Sequence, residues 1–423
     1  MKMTDIKKFK IADGISLNYI NDKKYKTVSI SLYLHRKLKR DEVTKNALLT
    51  SVLRQGTKKY PTSKEINRYT EELYGASYGL SVFKKGNIQT LSFGFNSLTE
   101  KYSENGIIEK CFDLLFEFLL NPLVENGGFV KKNVDTEKIN LEADIKALIN
   151  DKRAYADVKC LENMCIGEDS ALSDIGYVED LENIDEKNLY EHYKTIITQS
   201  PVDIFIVGDV DIDKIKAYLE EVFSKVNLDI TPLDNVTSKK SANEEKYVEE
   251  KLDVAQGKLS IGLRTNTIAT DDDYYPLVVG NSIFGSGAHS KLFNNVREKL
   301  SLAYYAYSRL DKFNGIMLIG SGIEFVNFNK AKDEIFVQLE ATKNGEFTSD
   351  ELFIAKQAII NRLKSYYDSP ALLKDYYLCN ILLKDGDSIE DAIEKVKKVT
   401  KEEIVAVFSK IKSDTVYFLK GKE

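Results

Sequence analysis

At 423 residues the chain is too long for one hydrophobic core and suits two domains of roughly 200 residues each. Its 43% hydrophobic and 30% charged content is that of an ordinary globular protein. A formal net charge of -6 excludes the Lys and Arg excess by which general nucleic-acid binders hold phosphate.

No run approaches the roughly 18 uninterrupted apolar residues of a membrane span, so no membrane association is expected. The start, MKMTDIKKFKIADGISLNYI, is basic but lacks the apolar stretch of a secretory signal, and a cytoplasmic location is expected. Cys111, Cys160, Cys165 and Cys379 are scattered, without a CxxC pair or a nearby His to complete a zinc site. They read as four reduced, mostly buried thiols.

Thr27 to Leu34 alternates as a half-buried strand. Leu48, Leu49, Val52 and Leu53 then fall at helical spacing, with Gly56 as the expected stop. Thr62-Ser63-Lys64-Glu65 is a capping box that opens a second helix. After Leu73-Tyr74-Gly75 comes a hairpin, Gly79 to Lys84 and Thr90 to Phe95, turning at Gly86-Asn87. Two long helices are predicted over 107–120 and 129–150. Asp203 to Val207 reads as a buried strand, followed by a helix over 212–223. The stretch Leu228–Glu250 combines Pro232, Ser238, Lys239, Lys240 and Ser241 with an acidic run and reads as a linker.

The second half repeats the first. Arg297 to Tyr305 leads into a strand ending near Ser308, a turn at Phe313-Asn314-Gly315, and a strand from Ile316 to Ile319. This copies the Glu71–Phe95 pattern and aligns Arg297 and Tyr304 with Thr70 and Ser77. The expected fold is α+β, with two tandem homologous domains, 1–227 and 251–423, joined by a linker over 228–250. Each is an antiparallel-rich sheet covered by helices.

This order of elements resembles the insulinase/pitrilysin family of zinc peptidases, whose active members carry H-x-x-E-H on the first helix, ahead of Gly-Thr. Here Gly56-Thr57 set the register, and the two His and the Glu become Ala47, Ser51 and Thr50. A methyl and two neutral hydroxyls are poor zinc donors, and Thr50 cannot act as a carboxylate base. The family's third ligand, a Glu on a later helix, falls by resemblance at Glu142, which alone makes no zinc site. The three histidines, His35, His192 and His289, show no i, i+4 pair. No metal, no cofactor and no catalysis by this chain alone are therefore expected.

The block Gly285-Ser286-Gly287-Ala288-His289-Ser290-Lys291-Leu292-Phe293, with Arg297-Glu298 and Leu302-Ala303-Tyr304, resembles the family's C-terminal motif. In active relatives its Arg and Tyr hold the substrate backbone, which implies substrate-binding roles for Arg297 and Tyr304. Gly285 and Gly287 resemble the glycine-rich loop of the non-catalytic subunit of the mitochondrial processing peptidase, implying peptide contact; they also suit a tight turn. Leu53–Thr57, Glu72–Ala76 and Lys85–Gln89 resemble a bacterial subgroup named for association with elongation factor P 5-aminopentanol modification. The resemblance implies a non-catalytic subunit working with an H-x-x-E-H partner, as heterodimer or homodimer, on a peptide or small protein. The alternative is a peptide-binding or scaffold protein without a part in proteolysis.

Overall fold

The computed structural model describes residues 6–234, 236–242 and 244–422. The first five residues of the basic start, and Asn235 and Asn243 of the expected linker, lie outside them. Two compact units form: Met1–Lys146 with Leu172–Asp234, and Ala147–Ala171 with Asn235–Glu423.

In the first unit, β1 (Ile6–Ala12), β2 (Ile15–Ile20) and β3 (Thr27–Lys37) lead to α1 (Val43–Leu53) and α2 (Ser63–Glu72). The hairpin β4 (Ser77–Lys85) and β5 (Ile88–Leu98) precedes α3 (Ile107–Leu120), a short ribbon of β6 (Val124–Glu125) and β7 (Gly128–Phe129), and α4 (Lys131–Ala147). The next helix, α5 (Lys152–Met164), belongs to the second unit; α6 (Glu186–Gln199), β8 (Val202–Val207) and α7 (Ile212–Ser224) complete the first. The sheet runs β1-β2-β8-β3-β5-β4, and only β2 and β8 pair in parallel. Period-two alternation sends Val28, Ile30, Leu32 and Leu34 of β3 into the helix-covered core, leaving Ser29, Ser31, Tyr33 and His35 on the other face.

The capping box at Thr62 and Glu65 forms as expected. Gly56 has a different reason from a helix stop: a Cβ there would fall 2.5 Å from the carbonyl oxygen of Pro61. Leu228 and Ile230 pack against the first core.

In the second unit, β9 (Lys246–Lys251) and β10 (Gly257–Arg264) lead to α8 (Tyr274–Phe284), a π-helical segment over Leu292–Lys299, and the hairpin β11 (Ala303–Asp311) and β12 (Ile316–Ile323). Then follow α9 (Phe328–Lys343), α10 (Ser349–Ser365), α11 (Pro370–Leu383), α12 (Ile389–Lys398), α13 (Lys401–Phe408) and β13 (Lys412–Lys420). The acidic run before Lys251 is thus an edge strand, its Lys and Glu side chains discouraging further pairing. The sheet order is β11-β12-β10-β13-β9, with β13 and β9 parallel. Strand for strand and direction for direction it repeats β4-β5-β3-β8-β2, so the two units share one α+β fold.

α8 and α9 lie against one face of this sheet, with α10 and α13 packed on α8. The other is closed by α5, where Ala156 and Cys160 pack with Leu318, Tyr417 and Leu419, and Asp157 accepts from Ser260 Oγ at 2.8 Å.

Candidate functional site

In the first unit, the helix with the expected zinc-motif positions is buried on nearly every side. Nine of the eleven α1 residues are inaccessible, including Ala47 and Thr50 at 4% and 3% exposure. Ala47 lies in the apolar core, and Thr50 Oγ1 donates back to the Ala47 carbonyl at 2.9 Å. Ser51, one residue on, is half-buried. The remaining polarity of α1 is structural. Asn46 donates to Gln89 Oε1 at 2.7 Å and lies 2.7 Å from His192 Nε2, while Gln89 Nε2 donates to the carbonyls of Val43 and Asp174. Burial holds the His192 imidazole down at about 4.

Glu142 is only partly buried and pairs with Lys146. The buried carboxylate of α4 is Glu137, 2% exposed, which accepts from Gln55 Nε2 at 2.5 Å and Asn140 Nδ2 at 3.2 Å. Val134, Glu137 and Leu141 form the helix's buried stripe at 3- and 4-residue spacing, the signal by which sequence could have found it. Among the described residues no group of three or more His, Cys, Asp and Glu side chains is placed to hold a metal ion. The methyl of Ala47 and the intrahelical hydroxyl of Thr50 do not fit zinc.

In the second unit, α8 ends at Gly285, where a Cβ would fall 2.3 Å from Ser308 Oγ and the carbonyl accepts from Ser308 N at 2.9 Å. Packing alone requires this glycine. Gly287 needs its missing side chain for φ +112°, and His289 closes the loop with Nε2 3.0 Å from Ser282 Oγ. The π-helical segment that follows ends in Ser301 at φ +48°, Leu302 N donating to Val296 O at 3.0 Å. Arg297, with 42% of its side chain exposed, stacks over Phe293 at 4.6 Å and lies 3.4 Å from Glu298. Tyr304 is 60% exposed, its hydroxyl 3.3 Å from Glu324 Oε1.

The repeat corrects the alignment read from sequence. Ala76 N donates to Thr70 O at 3.1 Å, closing α2 as Leu302 and Val296 close the π-helical segment, so Thr70 matches Val296 rather than Arg297. Ser77 pairs with Asn96 and Asn96 with Ser29; Tyr305 pairs with Gly322 and Gly322 with Lys258, so Ser77 matches Tyr305. Tyr304 has no counterpart. It is the extra residue of a β-bulge between Ala303 and Tyr305, a device that re-aims a side chain at a strand edge.

Over 412 residues the chain is 36% identical to the probable inactive metalloprotease YmfF of Bacillus subtilis strain 168, covering 97% of this chain and 96% of that one. The chain belongs to the insulinase, or M16, peptidase family. A family profile described as the peptidase M16 inactive domain matches residues 183–359. A crystal structure of a conserved protein from Enterococcus faecalis V583 superposes with TM-score 0.89 at 29% identity, covering 99% of both chains. The antilisterial bacteriocin subtilosin biosynthesis protein AlbE of Bacillus subtilis is 24% identical over 163 residues, 38% of this chain and 41% of that one. Within the M16 family this chain is a non-catalytic member: the first helix retains its place in the fold, while its two histidines and base are replaced by a methyl and two neutral hydroxyls, Ala47 and Thr50 buried and Ser51 half-buried. Among the described residues no helix is long and apolar enough to cross a membrane.

Proposed function

We propose that this chain is the non-catalytic subunit of a two-subunit zinc peptidase. A family partner carries the H-x-x-E-H helix, and this chain brings Arg297 and Tyr304 to a peptide or small protein in a shared chamber. The supporting observation is that Tyr304, on an inserted bulge, and Arg297, on a π-helical segment, are both exposed and have no part in the core. Gly287, exposed and in the left-handed region, keeps backbone open for a peptide; Gly285 is explained by packing. A homodimer would supply no zinc ligands, which favours a heterodimer. The partial likeness to a protein named for bacteriocin biosynthesis lends support to a maturation role over a digestive one. Four buried, reduced thiols suit the cytoplasm.

The second reading is a peptide-binding or scaffold protein outside proteolysis. In its favour, Arg297 and Tyr304 each already have a local acid, Glu298 and Glu324.

The test is the complex isolated from native cells with a peptidase assay. Arg297→Ala and Tyr304→Phe should leave assembly intact and lower turnover by about 10²–10³, the usual loss of one charge-stabilising donor. Normal assembly with unchanged turnover would replace this reading with the scaffold one.

A further inference from the structure

Tyr305 and Tyr307 of β11 lie side by side on the face of the second sheet that α5 covers, their centroids 6.0 Å apart and their planes at 27°. They lie flat because β12 has glycine beneath them. A Cβ on Gly322 would fall 2.4 Å from Tyr305 Cε1, and one on Gly320 would fall 2.4 Å from the Tyr307 hydroxyl. Above them sits Arg153, its guanidinium carbon 4.1 Å from the Tyr307 centroid and 4.7 Å from that of Tyr305. Lys258 Nζ lies 5.6 Å from the same Tyr305 centroid.

The charges here are not paired off: Asp151 bears on Lys258 but forms no ion pair with it. Asp157 is satisfied by Ser260 at 2.8 Å, Tyr307 at 2.5 Å and Arg309 at 3.3 Å. Among the described residues neither Arg153 nor Lys258 makes an ion pair; Lys258 donates to Gln256. Arg153 is exposed, so its outward N–H donors face solvent. Burial draws the Lys258 ammonium below its ordinary range, so a bound anion would stabilise its charged form.

Nor does the fold demand these residues. By the strand register, Lys258, Tyr305, Tyr307 and Arg309 stand where the first unit has Ser29, Ser77, Gly79 and Ser81. The cluster is particular to the sheet that α5 covers.

We propose that Arg153 and Lys258, set over the paired rings of Tyr305 and Tyr307, form a binding site for a carboxylate-bearing peptide. A guanidinium held flat by aromatic rings presents its fork of donors with little entropy left to lose, which matches a planar carboxylate. The rings offer apolar surface to the adjoining peptide. The ligand class rests on the peptide-binding reading above; the site uses neither Arg297 nor Tyr304.

The experiment is fluorescence anisotropy on the purified full chain with a labelled Asp- and Glu-containing octapeptide, its C-terminal amide, its Asn/Gln analogue and a single-stranded oligonucleotide. The acidic peptide should bind saturably and release at high salt. Lys258→Gln and Arg153→Gln should each weaken binding about tenfold or more. Thermal melts separate this loss from misfolding. Loss on amidation assigns the terminal carboxylate; retention assigns the side chains. Binding undiminished by both amidation and the Asn/Gln exchange, equal binding of the oligonucleotide, indifference to Lys258→Gln, or no saturable binding at low salt overturns the proposal. Weakening by Arg297→Ala but not by Lys258→Gln overturns it too, while leaving the composite-site reading standing.

Discussion

Arg264 at the end of β10 lies 3.2 Å from Asp414 of β13, the two side chains 2% and 5% exposed. The same guanidinium reaches Glu168 at 2.5 Å and the Met164 carbonyl at 3.1 Å, so one buried cation ties the end of α5 to the second sheet. In the first unit His35, at the β3 position matching Arg264, lies 3.3 Å from Asp203 of β8, whose register match in β13 is Thr415. Removing one member of such a set leaves buried charge uncompensated. Arg264→Ala should therefore lower stability by about 3–5 kcal/mol. Chemical denaturation checks this; a loss below about 1 kcal/mol would show that water readily replaces the guanidinium.

Ala147–Ala171 completes the second unit although it precedes the last elements of the first. Cys160 and Met164 fill the space over Gly262, where a Cβ would fall 2.5 Å from Met164 Sδ. Residues 235–423 expressed alone should lack a cooperative melt, because the α5 face of the sheet would be bare. Fusing 147–171 ahead of them should restore it. Calorimetry of the two proteins decides, and cooperative unfolding of the shorter one would refute the dependence.

His192 carries a pH dependence of defined sign. Its folded pKa is about 4, lowered by burial, against 6.5 when unfolded. The unfolded chain takes up the proton first, so stability is complete above pH 6.5 and falls as the pH drops towards 4, by about 3 kcal/mol at most. His192→Gln should flatten this part of the stability–pH curve. Denaturant midpoints between pH 4 and 7 measure it, and parallel curves for both proteins would contradict the assignment.

Grafting zinc chemistry back onto α1 should fail. Ala47 and Thr50 are buried, so Ala47→His with Thr50→Glu and Ser51→His forces bulk and charge into packed space, costing about 1–3 kcal/mol for the first substitution alone. Elemental analysis should find no stoichiometric zinc in the native or the grafted chain. One tightly bound equivalent in the native chain would overturn its non-catalytic status.

Sequence alone determined what local chemistry determines. The bounds of α3, the Thr62–Glu65 capping box and the Gly86-Asn87 hairpin depend on residues a few positions apart and formed where they were read; the duplicated α+β pattern was legible too, though not its residue alignment. The loss of zinc donors was equally legible, since it needs only the identities of Ala47, Thr50 and Ser51. Tertiary structure decided the rest. The Lys and Glu run at 246–251 reads as linker until β13 offers its edge, and α5 reads as part of the first half until the second sheet buries it. Glu137 rather than Glu142 became the buried carboxylate because the turn of α4 aims it at Gln55. Tyr304 stands alone, and Tyr305 and Tyr307 lie flat, because of one bulge in β11 and two glycines on its neighbour. Those choices are made by strand register and by contacts between residues far apart in the chain, which no local pattern encodes.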